Sequence, residues 1–325
     1  MGLAKISLYL GTVGGLSLLF AFLLSVVHTS LLALGRRSVS IPSPMTPAAA
    51  GAGGPAAPSG ATITFGPSGR GSAASATTAA AGPSAASTTP GSIGHAFTWI
   101  AWVMIGLSLL SRGIVVGRGP WGNMYEFSMA FAFGILTGYL FLQRRYPIRS
   151  IAFLPLGVAL FLVGYAATLP ASIEPLVPAL DNAPLLTVHV AMAMISYGIF
   201  AVSFGAAVGY LVQGTEDRFS WLPGHKLLDE VAYRAVIIGF PIFATMIVLG
   251  SWWASIAWGR YWGWDPKETA ALVTWLIYAV YLHARNQRGW SGRPSALILV
   301  IGFGAVLFTY FGNLFFSGLH AYSGL

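Results

Sequence analysis

The sequence contains no cysteine. For this chain on its own, that excludes disulfides, thiolate metal sites, iron–sulfur clusters and thiol–disulfide relays. Any redox chemistry then needs a cofactor or a partner. Charge is also scarce, at 8% of 325 residues, against about 25% in an ordinary soluble domain. A soluble enzyme is excluded. Lys+Arg 17 exceeds Asp+Glu 9 and leaves a formal charge of +8, but no basic helix or tail of the nucleic-acid-binding kind is formed. Alternation of apolar and polar residues at period two is missing too, which removes a membrane barrel from consideration.

What the chain has in abundance is apolar surface: 56% hydrophobic residues and a mean hydropathy of +0.72. Several runs carry one charge or none over about 20 residues, the length a helix needs to cross roughly 30 Å of hydrocarbon. The expected fold class is all-α, a polytopic integral membrane protein of about eight transmembrane helices. The first covers residues 1–34; it is too long for a secretory signal and ends in Arg36-Arg37. Residues 35–94 read as a low-complexity disordered linker of Ala, Ser, Pro and Gly, in which Arg70 is the only charge between Ser38 and Ser92. A membrane core follows over 95–325, with spans near 95–111, 123–142, 150–169, 185–212, 235–257, 267–284 and 295–318.

Placing the amino terminus outside puts 12 of the 17 basic residues in inner segments. The positive-inside rule therefore predicts both termini and the loops 112–122, 170–184 and 258–266 on the extracytoplasmic side; the expected location is the plasma membrane. Arg112 and Arg118 run against this trend, which gives them a job on the outer side or shifts the second span.

The stretch SWWASIAWGRYWGWDPKE, from Ser251 to Glu268, gathers Trp252, Trp253, Trp258, Tyr261, Trp262 and Trp264. Interfacial belts also collect Trp and Tyr. The density here, with no Cβ at Gly259 or Gly263, suits instead a flat, wide π-ligand that approaches the backbone closely. Arg260 and Lys267 supply cations beside that surface for the carboxylates of an amphiphilic macrocycle. His189 and His320 fall at the same outer depth. Two imidazoles flanking an aromatic platform are what a haem iron accepts as axial ligands.

His283 lies 16 residues beyond Lys267, about 24 Å along a helix, so it cannot join that site. It is an interfacial histidine or a ligand of a second, inner site. His28 reaches a similar inner depth and is its one partner within the chain. His95 and His225 read as solvated polar residues. Asp265-Pro266-Lys267-Glu268 reads as a helix start, with Asp265 as N-cap and Glu268 closing a capping box. Glu126 enters an apolar helix about one turn from the outer face, where an unpaired carboxylate is costly. Arg112 or Arg118 is its natural partner.

With these residues in place, the chain resembles the CcsA/ResC group of cytochrome c biogenesis proteins, within the wider haem-handling protein family. WGRYWGWD, Trp258 to Asp265, fits that family's tryptophan-rich WWD motif, WGxxWxWD, at each fixed position. His189, YLHAR with His283, FGN..FSGLH with His320, and Asn123, Tyr125 and Glu126 of an N-x-Y-E element support the match over about 95–325. The resemblance implies a subunit of the two-component cytochrome c synthase, or haem lyase, which carries haem b across the bilayer and presents it to the CxxCH thiols of apocytochrome c. His189 and His320 would then be its outer axial ligands, held against Trp258, Gly259, Arg260, Tyr261, Trp262, Gly263, Trp264 and Asp265, and His283 would serve an inner haem site. It also implies a ResB/CcsB-type membrane partner, which can supply the second inner ligand. Two other functions stay open: a transporter of haem or another amphiphile without synthase activity, and a structural b-type haem subunit of an electron-transfer complex.

Overall fold

A computed structural model describes residues 2–35, 85–173 and 183–320. The linker reading for 36–84 lies outside these residues. Among them the secondary structure is all helical: α1 (Leu3–Gly35), α2 (Ala85–Val116), α3 (Met124–Gln143), α4 (Phe153–Ala167), α5 (Ala183–Gln213), α6 (His225–Trp258), α7 (Pro266–Arg288) and α8 (Arg293–Phe311). The chain is a multi-pass membrane protein. Six of these helices are long and apolar enough to cross a bilayer.

The other two differ for physical reasons. α4 has 15 residues, about 22 Å at 1.5 Å per residue, and falls short of the hydrocarbon thickness. A 3-10 turn at Arg149–Ile151 leads directly into it and extends its path. α7 carries charge at both ends, where Lys267 and Glu268 open it and Arg285 and Arg288 close it. Two helices also start earlier than their apolar runs. α2 begins at Ala85, with Pro90 near its start, and α6 begins at His225.

α3 and α5 form the centre of the bundle. Their span segments are 72% and 61% buried, against 28–33% for α1, α2 and α6, which present their apolar sides outward as a lipid-facing perimeter does. α3 and α5 approach so closely that a Cβ on Gly198 would overlap the backbone of Gly134. α1 packs along α2, α5 along α6, and α7 along α8.

Polar pairs fix the helix ends. Arg285 grips Asp229 with two hydrogen bonds of 2.7 and 2.6 Å and lies over the Tyr233 ring, tying the end of α7 to the start of α6. At the opposite end Glu126 is fully buried. Arg112 Nε donates to one of its oxygens at 2.6 Å, and Arg118 Nη1 (3.1 Å) and the Gly122 N–H (2.6 Å) donate to the other. Both arginines that broke the charge trend are thus partners of Glu126. Arg112 reaches on to the carbonyls of Ala171 and Ser172. Because the helices alternate in direction, this end also collects the tryptophan loop and the segment after α8.

Candidate functional site

The tryptophan loop is shaped by its two flanking helices. α6 ends on Gly259, whose φ of 71° lies in the left-handed region open to glycine. Ser251 Oγ then donates to the Tyr261 carbonyl at 2.7 Å and folds the loop back on α6. α7 begins with the capping box read from the sequence: the Lys267 N–H donates to Asp265, and the Asp265 N–H donates to Glu268. Glu268 also accepts the Gly263 N–H at 2.8 Å. One carboxylate therefore fixes both the loop and the helix start.

Asp265 does more than cap. Its Oδ2 stands 2.7 Å from His320 Nδ1, and its Oδ1 accepts the Leu319 N–H. Burial opposes a charge on Asp265, but the hydrogen bonds from His320, Lys267 and Leu319 outweigh it and hold the carboxyl down at about 2. A carboxylate only accepts, so Nδ1 of His320 carries the proton and Nε2 the lone pair. Burial, against the pull of Asp265, keeps the His320 pKa below its ordinary value. The ring stands edge-on to Trp258, centroids 4.8 Å apart, and beside Trp253 at 5.9 Å.

His189, on α5, follows the same logic. Its Nδ1 lies 2.8 Å from the Met246 carbonyl on α6, which also only accepts and so fixes Nε2 as the basic nitrogen. The ring sits against Gly250, where a Cβ would come within 2.5 Å of it. His189 and His320 line one cavity, together with Trp121, Phe127, Trp258, Trp262 and Lys267. Its empty space is about 1060 Å3, counting the part that opens to the exterior. Tyr310, hydrogen-bonded to Ser128 at 2.5 Å, forms part of its wall. Lys267 holds its ammonium 5.1 Å from the Phe127 ring centroid.

The remaining loop residues divide. Trp258 and Trp262 face the cavity. Tyr261 and Trp264 are 66% and 68% exposed, and Trp264 adopts a φ of 54°. The Arg260 guanidinium lies about 3 Å from where a Cβ on Gly263 would stand, so that glycine makes room for a cation. Among the described residues, no cluster of three or more His, Asp and Glu could hold a bare metal ion.

The N-x-Y-E element turns out to serve this cavity indirectly. Asn123 caps α3 by accepting the Glu126 N–H at 2.9 Å, the Tyr125 ring lies under Arg112, and the clamp on Glu126 fixes the turn that delivers Trp121 to the cavity. His283 is elsewhere. It is exposed on α7, in a shallow groove with Val280 and Trp290. His28 lines other cavities with none of those residues, so the structure does not bring the two together. Nor are His225 and His95 simply solvated. His225 pairs with Asp217 at 3.1 Å, and His95 Nε2 accepts the Trp99 indole N–H at 3.1 Å.

Residues 121–320 match the cytochrome C assembly protein family. The chain belongs to this family. Its cavity residues from Trp121 to His320 span the matched segment end to end. Among similar proteins is the cytochrome c biogenesis protein CcsA of Guillardia theta, 34% identical over 263 residues, covering 72% of this chain and 86% of the relative. CcsA of Synechococcus elongatus is 35% identical over 284 residues, covering 71% and 87%. Within the family the chain is thus of the CcsA type. The fold is similar to that of the solved cytochrome c haem lyase CcmF, with a TM-score of 0.59 and 16% identity over 96% of this chain. The chain spans about half of that protein, 47% of its length.

Sequence reasoning missed three features of this family member's site: the Asp265–His320 pair, the Met246 carbonyl and Gly250 under His189. Two substitutions test them. Gly250→Val is expected to displace the His189 ring and abolish low-spin haem binding while the helical circular dichroism stays unchanged. With His320 as a haem ligand, Asp265→Asn would weaken haem retention by about 10–100-fold, the usual cost of losing the partner that orients such an imidazole. Haem titration of the purified variants reads both.

Proposed function

We propose that this chain is the haem-presenting subunit of a cytochrome c synthase. It holds haem b between His189 and His320 at the tryptophan-loop end and offers it for attachment to apocytochrome c. The observation that carries this reading is the pair of imidazoles lining one aromatic cavity, each with Nδ1 tied to an acceptor and Nε2 left basic. That donor set suits a six-coordinate haem iron.

The bound haem would supply the vinyl groups, and the CxxCH thiols of apocytochrome c the nucleophiles. The chain's own residues position and shelter: Trp258 and Trp262 form an apolar wall, Lys267 faces the cavity as a cation for an acid side arm, and Asp265 keeps His320 oriented. Positioning of this kind lowers a barrier without any cysteine in the chain. We place the tryptophan loop and both termini on the extracytoplasmic side of the plasma membrane, from the distribution of basic residues. A ResB/CcsB-type membrane protein completes the complex, and His283 contributes to an inner haem site with a ligand from that partner.

The test is co-expression with the partner and an apocytochrome c in a host lacking its own synthase. Covalent haem on the apocytochrome supports the reading. Haem bound to the chain with no covalent product would make it a transporter instead, and a stable stoichiometric haem indifferent to apocytochrome would make it an electron-transfer subunit.

A further inference from the structure

The end of the bundle opposite the tryptophan loop holds a second groove, with an empty space of about 1240 Å3, counting the part that opens to the exterior. Arg144 and Arg145, just after α3, and Arg149, in the turn before α4, line it. No carboxylate is among its lining residues, and none of these three guanidiniums makes an ion pair among the described residues. Arg218, Arg260 and Arg293 also lack one there, but none of them lines this groove. Arg112, Arg118, Arg234 and Arg285 each hold a carboxylate. Arg144 rests instead over the Trp99 ring, 5.2 Å from its centroid, and all three are exposed at the groove's rim.

Besides the polar His28, Gln143, Ser150 and Ser220, the groove has an apolar side made of Leu32 of α1 and of Trp221, Leu222 and Leu227 where the chain enters α6. Unpaired cations above an apolar wall select a ligand with an acidic head and an apolar body. Guanidinium groups pair with phosphate through two parallel hydrogen bonds, which an ammonium does not match. Free phosphate would have no use for the apolar wall. The groove also lies at helix ends, the depth at which lipid head groups sit, and basic pockets between membrane helices suit anionic heads.

We propose that this groove binds the phosphodiester head group of an anionic phospholipid, whose acyl chains leave along Leu32, Leu222 and Leu227. The full chain would be placed in nanodiscs of phosphatidylcholine alone or of phosphatidylcholine mixed with phosphatidylglycerol, and the lipids it retains counted by native mass spectrometry. Retention of one phosphatidylglycerol, favoured over phosphatidylcholine by at least about tenfold, is expected. The R144Q/R145Q/R149Q variant should lose that preference, and R144K/R145K/R149K should keep part of it. Should the Gln variant aggregate, the Arg149→Gln chain decides, with a severalfold loss expected. Equal retention of both lipids, or a preference that survives the Gln variant, would overturn the proposal. So would displacement of the lipid by inorganic phosphate, or by haemin in a manner that depends on the three arginines; the latter would assign the groove to porphyrin carboxylates.

Discussion

His320→Gly is expected to cut the yield of holocytochrome c from the co-expressed complex by at least about 100-fold, since losing a ligand outright costs no less than the top of the range for losing a ligand's partner. Added imidazole should restore much of it. The variant removes a ring that stands between Trp258 and Asp265 and leaves a space of its own shape. Free imidazole can enter that space and present the same nitrogen to iron. His189→Gly should behave alike, because Gly250 and the Met246 carbonyl still shape its vacated position. Rescue separates a lost ligand from a lost fold, since imidazole cannot repair misfolded helices. Normal yield from His320→Gly without imidazole would place the attachment site elsewhere.

Glu126→Ala acts on the fold rather than on the haem. Glu126 is fully buried, and Arg112, itself 2% exposed, would keep its charge and lose its only carboxylate among the described residues. Breaking a buried pair in this way costs about 3–5 kcal/mol. Arg118 and the Gly122 N–H lose the same acceptor, so the turn carrying Trp121 is released as well. The expected result is a large drop in the thermal unfolding midpoint in detergent, together with weaker haem retention. The double change Arg112→Met, Glu126→Leu should recover part of the midpoint, because it leaves no unpaired charge on either residue. A midpoint unchanged in Glu126→Ala would show that water or lipid head groups already solvate Arg112.

How far the sequence reveals this molecule depends on how local each signal is. Apolar runs placed all eight helices of the described residues, since lipid demands long stretches of one composition. They misjudged where α2 and α6 begin, because neither composition nor propensity marks those turns. α2 opens on Ser, Thr, Pro and Gly, poor helix formers, packed on α1 where Gly91 and Gly94 meet His28 and Leu24, and α6 opens on charged residues. The start of α7 was legible to the residue. Asp265, Pro266 and Glu268 lie within four positions of one another, and caps are short-range chemistry. The Glu126 clamp was legible as a need for a cation that Arg112 or Arg118 would meet, though not as both at once, one on each carboxylate oxygen. The pairing of Asp265 with His320 bridges 55 positions and depends on where α8 delivers its tail, which no local pattern encodes. For the same reason Gly250 gave no sign of lying under His189, one helix away.

The most direct test of haem gripped between His189 and His320 is the visible spectrum of the full chain, purified with its partner from haem-replete cells. A six-coordinate, low-spin haem is expected, turning high-spin or disappearing in both His189→Ala and His320→Ala and persisting in His225→Ala. A colourless complex, or a low-spin spectrum that survives removal of both imidazoles, would contradict it.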